Sequence, residues 1–208
     1  MGILQRNPFF AGVYEKVSQT GLFKSQFDPW RKELIAQAHG KTLEVGAGGG
    51  QNFAFYDPSV TSDVQAVEPH DMMREYAQKR IASAKVPITL LAGSAEALPF
   101  ADSVFDSVVT TLVFCSVTNP EKGLQEIMRV LKPGGTILMF EHVLSSNPVW
   151  ATAQHALTPL QMLAAGNCHL NRNTPLAVRA AGFIVSSEKW SGGSIHPQVA
   201  IIAAKPME

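Results

Sequence analysis

Residues 42–51 read Thr42-Leu43-Glu44-Val45-Gly46-Ala47-Gly48-Gly49-Gly50-Gln51. An apolar strand ends beside an acidic residue and runs into a glycine-rich turn, where the backbone can approach a ligand closely. A helix that began after the turn would point free N–H groups at that ligand. A second acid, Glu68, closes the next apolar run, 64–67, and a carboxylate in that position can hold both hydroxyls of a ribose. The pattern predicts a site for a nucleotide-type cofactor.

The spacing of the glycines argues against a dinucleotide. The dinucleotide fingerprint is G-x-G-x-x-G, whose third glycine permits close packing of helix on strand. Counted from Gly46, the second glycine is Gly48, and Gln51 stands where the third should be. The sequence instead reads E-x-G-x-G-x-G from Glu44 to Gly50, which disfavours a nicotinamide oxidoreductase.

Composition limits the classes of partner. The chain has 208 residues, of which 46% are hydrophobic, so a single domain, 1–208, with a full core is expected. Lys and Arg number 17, as do Asp and Glu, and the formal net charge is +0. Because a basic excess is missing, the sequence offers no electrostatic footprint for DNA or RNA, and no nucleic-acid partner is expected.

The cysteines and the apolar runs bear on location. Cys115 and Cys168 are too few for a disulfide framework, and the CxxC spacing typical of zinc sites is absent. We therefore expect no metal, reduced thiols and a cytoplasmic location. Residues 1–10 lack the pattern of a signal peptide, and no run of about 18 apolar residues exists. Stable membrane insertion is not expected, whereas peripheral membrane contact stays open.

Strand and helix patterns alternate from Trp30 onward. Strands are predicted at 42–45, 64–67, 88–91, 105–112, 136–140, 183–186 and 199–203. Helices are predicted at 29–38, 71–84, 120–131 and 174–181, the first with Pro29 at its opening position. Strands separated by helices predict an α/β fold with a doubly wound, mostly parallel, seven-stranded sheet.

One segment departs from this alternation. From Val143 to Asn171 there is no Asp, Glu, Lys or Arg. A surface helix normally carries a charged outer face, so this segment is a core helix, a cover over an apolar pocket, or a membrane-surface contact. We take 143–172 as an insertion covering an acceptor pocket. Residues 1–28 are taken as an N-terminal segment or lid, with Tyr14 folding over the cofactor because of its aromatic, polar character.

The glycine-rich stretch resembles motif I of the class I methyltransferases that use S-adenosylmethionine, and further motifs follow in the order of that family. Residues 93–100 look like its adenine-binding loop, 105–106 like the next motif, and 131–135 like the turn before strand five. The resemblance implies a Rossmann-like fold and S-adenosylmethionine as cofactor. It places cofactor binding on Glu44, Gly46, Ala47, Gly48, Glu68, Pro69, Ser94, Ala95, Glu96, Thr111 and Leu112. In that assignment Glu44 orients the methionine amino end, directly or through water, and Glu68 holds the ribose.

Three other segments resemble a narrower family, the small thiol methyltransferases. They are 111–117, 140–143 and 166–174, and Trp150 and Gln154 accompany them. The resemblance implies S-methylation of small lipophilic thiols. The sequence departs from that family in reading Gly-Asn-Cys-His at 166–169 where its members have Gly-Cys-Asn.

The acceptor side has weaker sequence signals than the cofactor side. His142 follows the fifth strand at the carboxyl end of the sheet, where ligands bind in such folds, and is the candidate base or orienting group. The alternative is a structural histidine bonded to Glu141 or to a backbone carbonyl. The candidates for the acceptor pocket are Cys115, Trp150, His155 and His169, and each also has an interpretation as a core, helix or loop residue.

The leading functional hypothesis is methyl transfer to a small, apolar acceptor, with a thiol first. The alternatives are methylation of a phospholipid head group, a quinone precursor or another small O or N acceptor. A cofactor-binding module without catalysis is a third hypothesis, against which the intact motifs argue. The sequence leaves the oligomeric state and any motion of the two covering segments open.

Overall fold

The computed structural model describes residues 8–208 of the chain. Its seven strands are β1 Gly40–Val45, β2 Thr61–Val67, β3 Ile88–Leu91, β4 Phe105–Thr111, β5 Leu131–His142, β6 Ile184–Ser191 and β7 Gln198–Ala204. They form one sheet in the order β3-β2-β1-β4-β5-β7-β6. Strands β1 to β5 are parallel, and β7 runs antiparallel to β5 and β6. The mostly parallel α/β sheet is the predicted one.

Six α-helices accompany the sheet in the described part of the chain. They are α1 Pro8–Ser18, α2 Gly21–Ile35, α3 Asp71–Ile81, α4 Pro120–Val130, α5 Pro148–Ala164 and α6 Thr174–Ala180. An asparagine caps α4, α5 and α6: the side chains of Asn119, Asn147 and Asn173 each accept a backbone N–H of the first turn. A proline lies in that first turn in all three, where its missing N–H costs no hydrogen bond.

Both faces of the sheet are covered, as the continuous apolar runs in its central strands require. In β4, Val108 packs in a core with residues of α4, while the adjacent Val109 packs in a second core with residues of α2 and α3. In β5, Ile137 and Leu138 divide in the same way. Strands buried on both faces read as continuous apolar runs because successive side chains point to opposite faces.

The first predicted helix began at the wrong residue. The pattern predicts a helix that opens at Pro29, but α2 begins at Gly21 after a Thr20 cap and contains Pro29 in its interior. Phe23 and Phe27, four residues apart, pack against each other with ring centroids at 4.4 Å. This aromatic packing stabilises the early turns of α2 despite the hydrogen bond that the proline removes.

Two other local expectations also need correction. No α-helix follows the glycine-rich turn directly, since a short 3₁₀ turn, Phe53–Phe55, stands there. Strand β5 begins five residues earlier than predicted, at Leu131 rather than Thr136, and its pairing with β4 shifts register between Phe105 and Ser107. The Pro-Gly-Gly turn is therefore accommodated within the strand as an irregularity.

Helices make up much of the two covering segments in the described part of the chain. Residues 1–7 of the predicted lid, 1–28, lie outside the described part, and the remainder forms α1 and the start of α2. The uncharged insertion holds α5, whose Gln154 bonds the backbone after β5 through Ser145 N–H at 2.7 Å and Val143 C=O at 3.2 Å. Over residues 8–208, no helix combines the length and apolarity needed to cross a bilayer.

Candidate active site

A cavity opens at the carboxyl ends of β1, β2, β4 and β5, and α1, α2 and the end of α5 close it from outside. Most of the predicted residues line it: Tyr14, Gly46, Ala47, Gly48, Glu68, Pro69, Ser94, Ala95, Glu96, Thr111, Leu112, Cys115 and His142. Parallel strands converge with their carboxyl ends at one sheet edge, which is why motifs distant in sequence meet here.

The glycine-rich turn has the backbone geometry that its glycines allow. Gly46 has a φ of 70° and Gly48 a φ of 55°. A Cβ on Gly46 would lie 2.6 Å from a methyl carbon of Val113, so a side chain is excluded by space as well as by φ. The turn therefore lies directly against the loop that follows β4.

Glu68 is almost fully buried at the end of β2. Its carboxylate oxygens accept the N–H groups of Gly48 and His70, both at 2.9 Å. Burial raises the pKa of Glu68, and these two hydrogen bonds oppose the rise. Because each carboxylate oxygen has two lone pairs, the side chain keeps acceptor capacity for the hydroxyls of a ligand.

Glu44 lies behind the cavity wall, not on it. Its carboxylate is 1% exposed and accepts Asn52 Nδ2 at 3.0 Å and the Tyr56 hydroxyl at 2.7 Å. Burial raises its pKa to about 7. Glu44 is therefore separated from the cavity by Asn52, which lines it.

Asn52 and Arg31 line the cavity and were missed by the sequence analysis. Asn52 donates to Glu44 and to Thr111 Oγ1, both at 3.0 Å, which leaves its Oδ1 without a partner among residues 8–208. Arg31 is 2% exposed and pairs with Asp28 at 3.2 Å, and its Nε has no partner in the same range. The only sequence signal for Asn52 was its place just after the glycines.

The loop after β4 is held by two sets of hydrogen bonds, the first of them from Glu141. Glu141, fully buried, accepts Thr110 Oγ1 at 3.2 Å and the N–H groups of Val113 at 3.1 Å and Cys115 at 3.3 Å. Leu112 at the loop's start has a φ of 59°, a left-handed conformation that is strained for a leucine. Glu141 therefore supports this loop and does not bond His142.

The segment after α5 holds the same loop through a second set of hydrogen bonds. Arg172 donates to the carbonyl oxygens of Phe114 and Val117. Asn167 Nδ2 donates to Ser116 O at 2.8 Å, and His169 N–H donates to Cys115 O at 2.7 Å. These contacts hold the end of the uncharged insertion, and with it Cys168, against the cavity.

Cys115, His142 and Cys168 come together at this end of the cavity. Their ligating atoms all lie within 4.8 Å of one another. The adjacent Cys168 and burial raise the pKa of Cys115, and the same contact lowers the pKa of Cys168. Cys168 was not among the predicted site residues, because three residues from separate segments have no common spacing in the sequence.

The three other predicted acceptor residues do not line the cavity. Trp150 and His155 lie on the first half of α5, where Trp150 is 38% exposed and His155 bonds Asn171 at 2.9 Å. His169 bonds backbone carbonyls, including Asn167 O at 2.8 Å. Only the end of α5 and the turn after it reach the cavity, with Gln161, Ala165, Gly166 and Cys168.

Tyr14 lies in the wall that α1 contributes. Its ring packs against Phe10, at a centroid distance of 5.9 Å, and against Phe23, at 6.0 Å. Burial raises the pKa of Tyr14. Phe10 in turn lies against Gly166, whose φ of 58° and missing side chain admit the ring. Helix α1 therefore lines the cavity and packs against the end of the insertion.

Known proteins are similar to this chain along most of its length. The family described as "Methyltransferase domain" matches residues 43–139. Thiol S-methyltransferase TMT1B of Rattus norvegicus is 37% identical over 154 residues, which are 71% of this chain and 62% of that protein. Thiol S-methyltransferase TMT1A of Homo sapiens is 33% identical over 182 residues, 82% of this chain and 74% of that protein. The chain belongs to the S-adenosylmethionine-dependent methyltransferases.

Relatives of this methyltransferase differ in what their names say they methylate. Demethylmenaquinone methyltransferase of Symbiobacterium thermophilum is 33% identical over 136 residues, 62% of this chain and 54% of that protein. The match with the rat relative spans 62% of that protein's length. The fold agrees with that of phosphoethanolamine N-methyltransferase 2 of Haemonchus contortus in complex with S-adenosylhomocysteine, with a TM-score of 0.72, 15% identity and coverage of 94% and 57% of the two chains.

Proposed function

We propose that this methyltransferase transfers the methyl group of S-adenosylmethionine to the sulfur of a small, apolar thiol. The observation that carries the proposal is the end of the cavity that faces α5: it is lined by Cys115, His142 and Cys168 and closed by a segment without charged residues from 143 to 171. The thiol S-methyltransferases among its relatives support the same acceptor.

The residues of the cavity fit S-adenosylmethionine. Glu68 has the lone pairs for the ribose hydroxyls, and Ser94, Ala95 and Glu96 would line the adenine. At the methionine end, the unpaired Oδ1 of Asn52 suits an ammonium group, and the Arg31 guanidinium suits a carboxylate. The guanidinium of Arg31 already pairs with Asp28, but its Nε and the Oδ1 of Asn52 are buried without hydrogen-bond partners within residues 8–208, which costs free energy. The two ends of the amino acid would supply those partners.

When bound, the cofactor supplies an activated methyl group on a sulfonium. The protein's task is then to align the acceptor and to help it lose a proton, since an alkyl thiol has a pKa of about 8.5. His142 lines the end of the cavity that we propose for the acceptor, and we propose that it holds or deprotonates the acceptor thiol. The S–H proton would pass to His142 and the electron pair of that bond would stay on the acceptor sulfur, which could then take the methyl group, while the electron pair of the sulfonium bond would stay on the leaving sulfur. From His142 the proton leaves to solvent.

The test is transfer of a labelled methyl group to a panel of small alkyl and aryl thiols, with phenols and amines of matched shape, in the absence of lipid. We expect methylation of the thiols and little of the matched phenols and amines. Labelling of the oxygen or nitrogen acceptors in preference to the thiols would overturn the proposed acceptor.

A second candidate acceptor is a quinone precursor. The outer face of α5 exposes Val149, Leu157, Leu160 and Leu163, each more than half accessible, and such a face suits contact with a lipid surface from which an apolar precursor could be taken. The demethylmenaquinone methyltransferase relative points the same way. Activity that required vesicles carrying the precursor, with no activity on free thiols, would favour it.

The remaining parts of the proposal concern organisation, location and partners. We propose a single domain, 1–208, in which 1–28 acts as a lid and 143–172 covers the acceptor pocket. The two free thiols fit a reducing compartment, for which we propose the cytoplasm. A net charge of +0 supports a small molecule, and not a nucleic acid, as partner.

A further inference from the structure

The cluster of Cys115, His142 and Cys168 has the composition of a metal site. Both cysteines are free and buried, with 2% and 6% of their surfaces exposed. The three side chains come from the loop after β4, the last residue of β5 and the turn after α5, and each offers one ligating atom within 4.8 Å of the other two. Two thiols and one imidazole are the protein ligands of some catalytic zinc sites, in which a fourth position stays open.

The histidine of the cluster has ring contacts but no hydrogen bond at its ring nitrogens within the described residues. Both ring nitrogens of His142 are buried, and neither has a hydrogen-bond partner among residues 8–208. The ring of His196 lies beside it, with centroids 4.3 Å apart. Buried polar atoms are normally satisfied, so an imidazole whose nitrogens are unpaired within residues 8–208, beside two thiols, fits a ligand held between the three side chains.

The backbone around the two cysteines is held in place by other contacts. Cys115 donates its N–H to Glu141 Oε2 at 3.3 Å, its carbonyl accepts His169 N–H at 2.7 Å, and Cys168 N–H donates to Ala165 O at 3.1 Å. Ligands fixed in this way form a site without rearrangement of the main chain.

Charge favours a divalent ion over an empty cluster. Two thiolates and a neutral imidazole balance the charge of Zn²⁺, so the loaded cluster is neutral in a buried setting, whereas lone thiolates there would be costly. Thiolate and imidazole ligands also select zinc over magnesium or calcium, which prefer oxygen.

We propose that Cys115, His142 and Cys168 bind a zinc ion whose open position faces the cavity and takes the sulfur of the acceptor. The inference rests on the proposed function and specifies how His142 acts on the acceptor, namely as a ligand of the metal. On binding, the thiol S–H bond breaks, a zinc–sulfur bond forms in place of zinc-bound water, and the proton leaves to solvent. No electron is gained or lost.

The first test is the zinc content of the full chain, purified under reducing conditions, loaded with zinc and dialysed. We expect about one zinc ion per chain. Cys115→Ser, Cys168→Ser and His142→Gln should each lose most of it, while His155→Gln, a change on the exposed part of α5, should retain it. Circular dichroism checks that each variant is folded. A folded wild-type chain without zinc, or three ligand variants that all retain it, overturns the site.

The second test separates the open position from the proposed function. In cobalt-loaded protein, a small alkyl thiol should change the thiolate-to-cobalt charge-transfer band, and the matched alcohol should not; an unchanged band overturns the open position. Zinc-free protein that methylates thiols at the full rate overturns the inference and leaves the proposed function standing. A bound metal that takes thiols, in protein that methylates none, supports the site and removes the proposed function.

Discussion

At the scale of single residues, the site is built on buried carboxylates that have different tasks. Glu68 is on the cavity wall, Glu44 lies behind it, and Glu141 supports the loop after β4. Burial raises the pKa of all three. The three carboxylates differ in their hydrogen-bond donors. Backbone N–H groups donate to Glu68 and supply most of the hydrogen bonds of Glu141, whereas side chains donate to Glu44.

Glu68→Ala should weaken binding of S-adenosylmethionine by at least about 1 kcal/mol, the scale of one charge-assisted hydrogen bond. The physical reason is the loss of the acceptor for the ribose hydroxyls. Titration calorimetry measures the change, with Glu75→Ala on the exposed side of α3 as the control. Unchanged affinity in the Glu68 variant would remove the ribose assignment.

Glu44 should make stability fall as pH rises. Its pKa in the folded protein, about 7, lies above the ordinary 4.5, so the folded state holds the proton more tightly. The contribution of Glu44 to the free energy of unfolding is therefore complete below pH 4.5 and is lost as pH rises through about 7. The loss amounts to at most about 3 kcal/mol.

Chemical denaturation at pH 5 and pH 8 tests this. Glu44→Gln should reduce the difference in unfolding free energy between the two pH values, because the amide cannot ionise and can still accept from Tyr56. Glu75→Gln should leave the difference as in the wild type. If the unfolding free energy changed equally between the two pH values in the Glu44 variant and in the wild type, the raised pKa of Glu44 would be contradicted.

At the scale of elements, the decisive pieces are the two turns that meet at the cavity. The glycine-rich turn after β1 and the loop after β4 touch at Gly46 and Val113. The turn could be predicted from its glycines, since a left-handed backbone selects for them. The loop could not, because the left-handed Leu112 is imposed by the clamps from Glu141 and Arg172, which are distant in sequence.

Two glycine substitutions should change the stability of the fold in opposite directions. Gly46→Ala should destabilise the protein by about 1–2 kcal/mol or more, from its φ of 70° and the contact with Val113. Gly12→Ala in α1 meets nothing within 4 Å and should stabilise by about 0.5–1 kcal/mol. Thermal and denaturant unfolding of the two variants give the comparison, and a neutral Gly46→Ala would show that the turn can relax.

At the scale of the whole molecule, ligand binding and stability are linked. S-adenosylmethionine at 100 times its Kd should stabilise the folded state by about 2.7 kcal/mol, which for a chain of this size is roughly 5–10 °C in Tm. NAD at the same concentration should leave Tm unchanged, since Gln51 replaces the third glycine of the dinucleotide pattern. Protection by NAD and not by S-adenosylmethionine would contradict the cofactor assignment.

The sequence by itself determined the seven strands, the helices α3, α4 and α6, the glycine-rich turn and the acid after β2. These features follow from local rules: period, capping residues and backbone conformations that only certain residues adopt. Asn-Pro at the start of α4 and α5 is such a signal. The methyltransferase motifs are runs of neighbouring residues, so they too can be read along the chain.

Only the tertiary structure decided which distant residues meet. Arg31, Asn52 and Cys168 reach the cavity from α2, the turn after β1 and the turn after α5. Trp150 and His155, which were predicted to line the acceptor pocket, do not reach it. The physical reason is that a helix directs its residues to different sides and that a sheet edge gathers loops regardless of their separation in sequence. The acceptor end of the site is therefore a product of packing.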